Sequence, residues 1–392
     1  MSKETQHHFL KIHSSLGEDA LVLEKLTVSE GMSRLFDIRV GFTANQRIGD
    51  MRQHIGEEVV ISLAMTDKLG SRERYFHGHF LTVSELGKPL HNKDGQRYSA
   101  VIVPRAWSAT SRTNCRIFQD KTALDIVETL LGEHQVAHRK VINGAPYTHR
   151  YYVQYNETDW EFICRVLANE GLTFYFEHTD SAHTMVITDS DKAFQPAQEN
   201  QVVFTTRNTG RARISHWERG CRAMSDQMIE HGFDFTRPDD RVLTRSQEEV
   251  PGDLFGLREL FEYHGEDRPL KDKANLTKKP LQALALKSET LAAISTYRSF
   301  GAGLTFSFQS HEDGPQDPND FLITDILIQA EVPLNSENQP AGGTLEYHNE
   351  FLCRPANQPC VPARIPKPAM PGLQTATVTC AAGEEIHVDE HG

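Results

Sequence analysis

The sequence predicts a mainly β protein with an α+β unit in its middle. Short segments of alternating apolar residues occupy the first hundred residues and return after residue 202, and two capped amphipathic helices lie between these regions. These two observations define the fold class. At 392 residues, with about 150 residues per domain, the chain has room for two or three domains.

Five strand-like segments fill the first hundred residues: 21–29, 35–42, 59–65, 75–85 and 98–104. In the third segment every second residue from Val59 to Met65 is apolar, which is typical of a strand with one buried face. So many short strands in succession predict a barrel or a sandwich. Asp94 and Gly95 predict a tight hairpin turn before the fifth strand.

Two amphipathic helices follow. The first begins behind Thr122, with Asp125 as capping partner, and its apolar face consists of Ala123, Ile126, Val127, Leu130 and Leu131. The second begins behind Thr158, with Glu161 as capping partner, and ends at Gly171. Two runs rich in β-branched and aromatic residues predict a hairpin after it. Residues 112–190 therefore form an α+β unit with two helices and a hairpin.

The β pattern resumes near residue 202, is interrupted by a polar, acidic segment at 238–268, and is followed by a helix within 281–298. Further strands are predicted at 303–309, 321–331 and 344–353. Both β regions close with a strand, a polar loop, a strand and a proline. This echo indicates tandem β-domains, although unrelated hairpins with polar loops would look the same.

A proline-rich stretch follows the last of these strands and predicts an extended linker that joins neither a helix nor a central strand. A new β pattern begins after the linker and stops incomplete. The sequence is therefore expected to be part of a longer chain.

Composition argues against several function classes, although a local basic patch would be compatible with it. With 54 acidic and 41 basic residues the formal charge is −13, which disfavours binding to nucleic acid or to an anionic membrane. The six cysteines include no close pair, so they are expected to be reduced thiols. No apolar run approaches the length of a membrane span, and the amino terminus lacks a signal-peptide pattern.

Metal candidates are weak. His134 and His138 are four residues apart, but Gln135 stands where a zinc hydrolase needs a glutamate base, and Gly132 indicates that the helix is ending. His77 and His79 point to the same side of a strand without a third ligand. Solvated or hydrogen-bonded histidines are the alternative in both cases. Two further groups lack the residue spacing of known metal-binding motifs: His387, Asp389, Glu390 and His391 near the end of the sequence, and Cys353, Cys360 and His348.

Catalytic signatures are equally scarce. The sequence has no nucleophile elbow, phosphate loop or dinucleotide fingerprint. The acidic pairs Asp239-Asp240 and Glu248-Glu249 lie in polar segments typical of solvated loops. We therefore expect no catalytic, cofactor-binding or metal-binding residues, and a structural or interaction protein rather than an enzyme.

The centre of the chain resembles a known family. The segments CRIFQDKTALDIVETLL, YYVQYNETDWEFICRVLANEGLTFYFEH and HTMVITDS resemble the VgrG family, the spike proteins of type VI secretion systems. The family motif is matched by Gln154, Tyr155, Glu157, Thr158, Asp159, Trp160, Glu161, Phe162, Glu170 and Gly171. Asn156, where a charged residue is common, is a minor departure. The resemblance gives these residues a structural role, not a catalytic one.

The resemblance implies a homotrimer that caps the hexameric Hcp tube and carries a needle, effectors or adaptors, and a PAAR-type tip. It divides the chain into a first tube-type β-barrel (1–108), an α+β domain (109–200), a second tube-type β-barrel (201–238 with 300–355), an insertion with a helix (239–299), and a proline-rich linker with the start of an OB-fold (356–392). Such a protein assembles in the cytoplasm without a signal peptide and leaves through the type VI apparatus. A phage-type baseplate hub and, more distantly, a hydrolytic effector are the alternatives.

Overall fold

The structure is a computed structural model, and it describes residues 9–15, 21–44, 46–66, 72–87, 95–232, 242–247, 258–264, 270–310, 320–332, 345–373, 375–377, 379–380, 382–383 and 388. Most of the regular structure in this part of the chain is β-strand, as the sequence predicts. The helices there are α1 (Ala123–Glu133), α2 (Asp159–Asn169) and α3 (Leu270–Ala285), with 3-10 turns at Met51–His54, Arg105–Ser111 and Asp191–Ala193. None of these helices is long and apolar enough to cross a membrane.

The strands in chain order are β1 (Leu10–Ser14), β2 (Leu21–Gly31), β3 (Asp37–Ala44), β4 (Glu58–Ala64), β5 (Glu73–Gly87), β6 (Gln96–Val103), β7 (Thr113–Thr122), β8 (His138–Val141), β9 (Thr148–Thr158), β10 (Thr173–His178), β11 (His183–Thr188), β12 (Gln195–Val203), β13 (Ile214–Cys221), β14 (Gln227–Gly232), β15 (Val242–Gln247), β16 (Glu259–His264), β17 (Glu289–Ser295), β18 (Leu304–Ser310), β19 (Asp320–Glu331) and β20 (Glu346–Pro355). The five strands predicted in the first hundred residues correspond to β2 to β6, and Val59 and Met65 are buried as expected. The turn predicted at Asp94-Gly95 lies partly outside the described residues.

Two arrays of six strands repeat one topology. The first is ordered β1-β4-β5-β6-β3-β2 and the second β12-β18-β19-β20-β17-β13. If the strands of each array are numbered along the chain, both orders read 1-4-5-6-3-2. The pairings agree in direction except at the first strand, since β1 is antiparallel to β4 whereas β12 is parallel to β18. The shared strand order supports the tandem interpretation of the sequence echo.

Irregularities in the ladders repeat as well. One residue is skipped between Phe80 and Thr82 of β5, and one between Ile323 and Asp325 of β19. Strands β2 and β13 carry a similar shift close to their starts. Because a bulge bends its strand and fixes the register, the two arrays share local geometry as well as strand order.

The arrays join through β2 and β19, which pair antiparallel from Asp325–Gly31 to Glu331–Lys25. This contact makes one sheet, and one apolar core draws residues from both arrays. In the described part of the chain the ladder runs as an open path from β1 to β13, so the expected closed barrels are not observed there.

An α+β unit separates the arrays along the chain. It holds α1, α2, the paired strands β7 and β9, and the sheet β10-β11-β8, around an apolar cluster of its own. The predicted hairpin is present as β10 and β11, and the predicted apolar face of α1 is buried. Both predicted capping boxes are also present, at Thr122 with Asp125 and at Thr158 with Glu161.

The predicted helix within residues 281–298 is wrong in its second half. Helix α3 covers Leu270–Ala285, and Glu289–Ser295 is strand β17, which pairs with β13 and β20. The sequence of β17 has four consecutive apolar residues, 291–294, and this run is too short to distinguish a helix from a strand by periodicity. Packing decides, because Leu291 and Ala293 face the core at a spacing of two.

A small sheet ordered β15-β14-β16 lies between β13 and β17 along the chain; β15 and β16 fall within the predicted insertion at 239–299, whereas β14 precedes it. The acidic pairs Asp239-Asp240 and Glu248-Glu249 lie outside the described residues. Beyond Pro355, where β20 ends, the described residues of the proline-rich stretch form no helix or strand. Arg364 in this stretch bonds Glu230 and Glu262 at 2.5 and 2.9 Å. Most of the predicted OB-fold start also lies outside the described residues.

Gly303 supplies a test of how the second array meets the α+β unit. Its φ is +83°, and a Cβ there would lie 2.5 Å from the ring of buried Tyr175. We expect Gly303→Ala to lower the free energy of unfolding by about 2–4 kcal/mol, since backbone strain adds to the clash. Gly49→Ala, whose Cβ would meet no atom within 4 Å, is the control. Equal urea midpoints for both variants would contradict the packing described.

Candidate functional site

The family motif spans the passage from β9 into α2 and out of it. Gln154, Tyr155, Glu157 and Thr158 end β9, and Asp159, Trp160, Glu161 and Phe162 open α2. Glu170 and Gly171 close the helix. The structure therefore places eight of the ten motif residues at the junction of β9 and α2, and Glu170 and Gly171 at the opposite end of the helix. Gln154 and Asp159, both polar, are completely buried at that junction.

Asp159 is the centre of a buried polar network. Its carboxylate accepts hydrogen bonds from Gln154 Nε2 and Arg116 Nη2, each at 2.8 Å, and from Arg112 Nε. His134 Nε2 lies 2.9 Å from it. Burial raises the pKa of Asp159, but the hydrogen bonds from His134, Gln154 and Arg112 and the charge of Arg116 outweigh burial, so its pKa lies below the usual value.

Glu133, the last residue of α1, extends this network. Both its carboxylate oxygens lie 3.1 Å from Arg116 Nη1, and it also bonds Arg112. Arg112 directly precedes β7 and Arg116 lies on it, so the two arginines connect that strand to the end of α1 and the start of α2. The network fixes three elements relative to one another.

A second buried ion pair joins Arg165 of α2 to Glu157 near the end of β9. Arg165 Nη2 and Nε bond the two oxygens of Glu157 at 2.5 and 3.0 Å, and the guanidinium also donates to the carbonyl of Val153 at 2.9 Å. Its plane stands over the Phe162 ring, 5.0 Å from the centroid. A bidentate pair with an additional acceptor is the arrangement that makes a buried arginine tolerable.

The ends of α2 follow the predicted pattern. Thr158 Oγ1 accepts from Glu161 N, and Glu161 Oε2 accepts from Thr158 N at 2.7 Å. Gly171 has φ +65°, which permits the sharp exit into β10. Glu170 Oε1 accepts from Tyr152 Oη at 3.2 Å. Asn156 is the extra residue of a bulge opposite β7 and has φ +46°, a conformation that asparagine tolerates.

The histidines considered as zinc ligands lie apart. Helix α1 ends at Glu133, so His134 caps it, whereas His138 lies on β8 and contacts the carbonyl of Val136 at 3.0 Å. His134 is engaged with Asp159 and with Ser108 Oγ at 3.0 Å. The expectation that the helix is already ending is confirmed.

His77 and His79 share one side of β5 as predicted and meet a third histidine, His183 of β11. His77 Nδ1 lies 2.9 Å from His183 Nδ1, and the His79 and His183 rings are 5.8 Å apart. The backbone N–H of Arg105 donates to His183 Nε2 at 3.0 Å, and that of His77 donates to His178 Nδ1 at 3.1 Å. The cluster lies where the first array meets the α+β unit.

The hydrogen bonds assign the tautomers. Because His183 Nε2 accepts, its proton is on Nδ1 and is donated to His77 Nδ1. Burial, and then the neighbouring histidines, lower the pKa of His183 to about 2. Burial likewise lowers the pKa values of His77 and His79. The described residues contain no group of three or more histidine, cysteine or acidic side chains placed to hold a metal ion.

Beside the cluster, Glu30 at the end of β2 is buried. Its Oε2 lies 3.0 Å from Arg74 Nη2, and its Oε1 lies 3.4 Å from His178 Nε2. Burial raises the pKa of Glu30. The charge of Arg74 and the contact with His178 together lower it by more than burial raises it, so the pKa lies below its usual value and the carboxylate stays ionised. Three elements, β2, β5 and β10, meet at this charge.

Sequence reasoning missed Arg112, Arg116, Glu133 and Arg165. Arg165 carries a signal, because an arginine on an otherwise apolar helix face needs a buried acid as partner. The partners of Arg112 and Arg116 come from separate elements, so no sequence spacing reveals them. The cluster at His387, Asp389, Glu390 and His391 lies outside the described residues, and Cys353, Cys360 and His348 form no metal group in the described part. The polar groups around Asp159 and Arg165 bond one another, so they hold the surrounding elements in position.

The chain matches one family model, described as phage tail baseplate hub (GPD), over residues 29–333. The chain therefore belongs to the phage tail baseplate hub family, and its resemblance to the VgrG spike proteins is confirmed.

Two curated relatives illustrate the match. The type VI secretion system spike protein VgrG1a of Pseudomonas aeruginosa is 24% identical over 389 residues, 98% of this chain and 59% of that protein. VgrG1c of the same organism is 25% identical over 397 residues, 99% of this chain and 53% of that protein. The chain spans about half the length of the curated relatives it matches.

A solved structure of the E. coli c3393 protein, described as a type VI secretion component similar to bacteriophage T4 tail proteins gp27 and gp5, superposes with a TM-score of 0.66 at 17% identity, over 92% of this chain and 82% of that one. A tail protein from Neisseria meningitidis MC58 gives a TM-score of 0.61 at 12% identity, over 88% and 95% of the two chains. At these identities the likeness establishes the fold.

Asp159→Asn tests the buried network. Removing the charge leaves two arginines without their shared carboxylate, so we expect a loss of about 3 kcal/mol in the free energy of unfolding at pH 7. Because the folded pKa of Asp159 lies below 3.8, its contribution is present above that pH and lost as pH falls through the folded pKa. The gap between wild type and variant in urea melts should narrow in acid. Asp37→Asn, which breaks an exposed pair with Arg39, is the control and should cost less than about 1 kcal/mol.

His183→Gln tests the histidine cluster. A histidine held neutral in the folded state is protonated on unfolding below its ordinary pKa of 6.5, so stability falls as pH drops below that value, by up to about 1.4 kcal/mol per pH unit. Urea melts at pH 8, 6.5 and 5 should show a shallower acid loss in the variant than in wild type. The exposed His348→Gln serves as control. Identical slopes for His183→Gln and wild type would refute the assignment.

Proposed function

We propose that this chain forms the hub of a type VI secretion spike, a homotrimer that caps the hexameric Hcp tube. The observation that carries the proposal is the repeated strand order within a chain of the baseplate hub family. Three chains, each with two arrays of the same topology, present six similar units, the number a hexameric tube requires. In this proposal the two arrays are the two tube-type barrel domains, and an OB-fold follows the linker.

The role proposed is mechanical. The polar clusters of the described residues are bonded to one another and hold elements in place, which suits a protein that transmits force without turnover. A relative from Vibrio cholerae is named as an actin cross-linking toxin, and this chain covers 27% of that protein. We propose that any such activity in this family lies in added domains, and that the hub itself is not an enzyme.

Partners and location follow from the same proposal. The solved Francisella VgrG is in complex with PdpA. For this chain we propose effectors or adaptors as cargo, a PAAR-type tip on the full-length protein, assembly in the cytoplasm without a signal peptide, and exit through the type VI apparatus. A phage-type baseplate hub is the second candidate, because the Neisseria tail protein shares the fold over 95% of its own length.

Light scattering on the purified chain tests the assembly. We expect a mass close to three chains of 44.3 kDa at micromolar concentration, because an obligate hub interface buries an area on the order of several thousand Å². A stable monomer would count against the hub. Binding to purified Hcp hexamers, compared with binding to a phage tail-tube protein, then separates the secretion spike from the phage hub.

A further inference from the structure

The joint between the two arrays uses a specific edge of β19. Strand β20 covers one edge along the length of β19. On the other edge, β18 covers Asp320–Leu322, and β2 then covers Asp325–Glu331. Strand β2 thus fills the part of the edge that β18 leaves open. Its core-facing residues and those of β19 are buried as a result.

The equivalent edge of the first array is open. Strand β5 corresponds to β19, and β4 covers it only from Glu73 to His79. From Leu81 to Gly87 no strand in the described part of the chain pairs with that edge. The residues there are half-buried or exposed, and Leu86 is 59% exposed. An unpaired edge of this length is a template for another strand.

The strand equivalent to β2 also has an open edge. Strand β13 pairs with β17 on one edge, and on its other edge the described residues contribute only a bridge from Phe204 to Ile214 at the start of the strand, so that edge is open over residues 216–221. Its last four residues, Glu218 to Cys221, are exposed, whereas the same part of β2 is buried or half-buried. Within the described residues, β5 therefore has an open edge at the position equivalent to the β19 edge that accepts β2, and β13 has an open edge at the position equivalent to the β2 edge that pairs with β19.

We infer that β13 of one copy pairs antiparallel with the open edge of β5 in the next copy, in the register that β2 adopts on β19. The inference rests on the proposed trimer and identifies its interface. The contact is head-to-tail, so three copies form a ring. Each chain contributes eight neighbouring strands of its sheet to this ring, in the order β5-β6-β3-β2-β19-β20-β17-β13.

The ladders determine the register. In the first array, one row of directly paired residues crosses β2, β3, β6 and β5 at Leu23, Phe42, Tyr98 and Glu85. The equivalent row of the second array crosses β13, β17, β20 and β19 at Ile214, Ser295, Asn349 and Ile328. Ile328 pairs with Val28, five residues after Leu23. Five residues after Ile214 is Arg219, so Arg219 lies opposite Glu85 of the next copy, and Cys221 lies opposite Val83.

Charge supports this register. Glu85 Oε2 lies 3.1 Å from Arg47 within the first array, and Arg219 bonds Glu289 within the second. Placing Glu85 opposite Arg219 joins the two ion pairs into a row of alternating charge. Opposite charges across a strand pair are favourable, and like charges are not.

A single substitution tests the register. Directly paired strand residues have Cα atoms about 4.5–5.5 Å apart, within the range that a disulfide spans. Val83→Cys should therefore form a disulfide with the native, exposed Cys221 of the next copy when oxidised glutathione is added. We expect a covalent trimer on a non-reducing gel, in more than half of the protein, that dithiothreitol returns to monomers.

Two controls isolate the contact. The double variant Val83→Cys/Cys221→Ser should give no covalent trimer, and Ser84→Cys, whose side chain faces the other side of the sheet, should give at most a tenth as much. A trimer by light scattering without the disulfide would overturn this interface and leave the proposed hub intact. A monomer by light scattering would overturn the hub itself. A covalent ladder beyond the trimer would support the strand pairing and overturn the closed ring.

Discussion

The pairing of β2 with β19 is the contact on which the rest of the structure depends. It connects two strand arrays that are separated in the chain by the α+β unit, and it makes their apolar cores continuous. The end of β2 adds a charged contact to this joint. Glu30 lies buried against Arg74 of β5, whose guanidinium also bonds the backbone carbonyls of Arg298 and Phe300. A buried ion pair of this kind does little for net stability, but it fixes how the elements meet.

The repeated topology explains where the chain accepts insertions. The α+β unit lies between the arrays, and the sheet β15-β14-β16 with α3 lies between β13 and β17. Each enters at a connection, so the hydrogen-bond ladder of the parent array is not interrupted. The first strand is the point where the arrays diverge, because β12 runs parallel to β18 whereas β1 is antiparallel to β4. An outer strand can reverse without changing the pairing of the other five strands of its array.

The motif residues act as a joint inside the α+β unit. Asp159 brings Arg112, Arg116 and His134 to one point, and Arg165 with Glu157 holds the other side of α2 against β9. Each of these groups would be costly to bury alone, so they are buried together. This accounts for the polar residues at buried positions in a part of the chain where no group is placed to hold a metal ion among the described residues. It is consistent with the structural role the resemblance implies.

Sequence by itself determined the local elements of this protein. The capping boxes at Thr122 and Thr158, the exit at Gly171 and the alternation in β4 are written in neighbouring residues, because each depends on contacts a few positions apart. The motif also placed the chain in its family. Only the tertiary structure decided that Glu289–Ser295 is a strand, that His183 completes the histidine cluster, and that β2 joins the arrays through β19. Those features depend on partners tens to hundreds of residues away, and no local pattern encodes which distant edge a strand will meet.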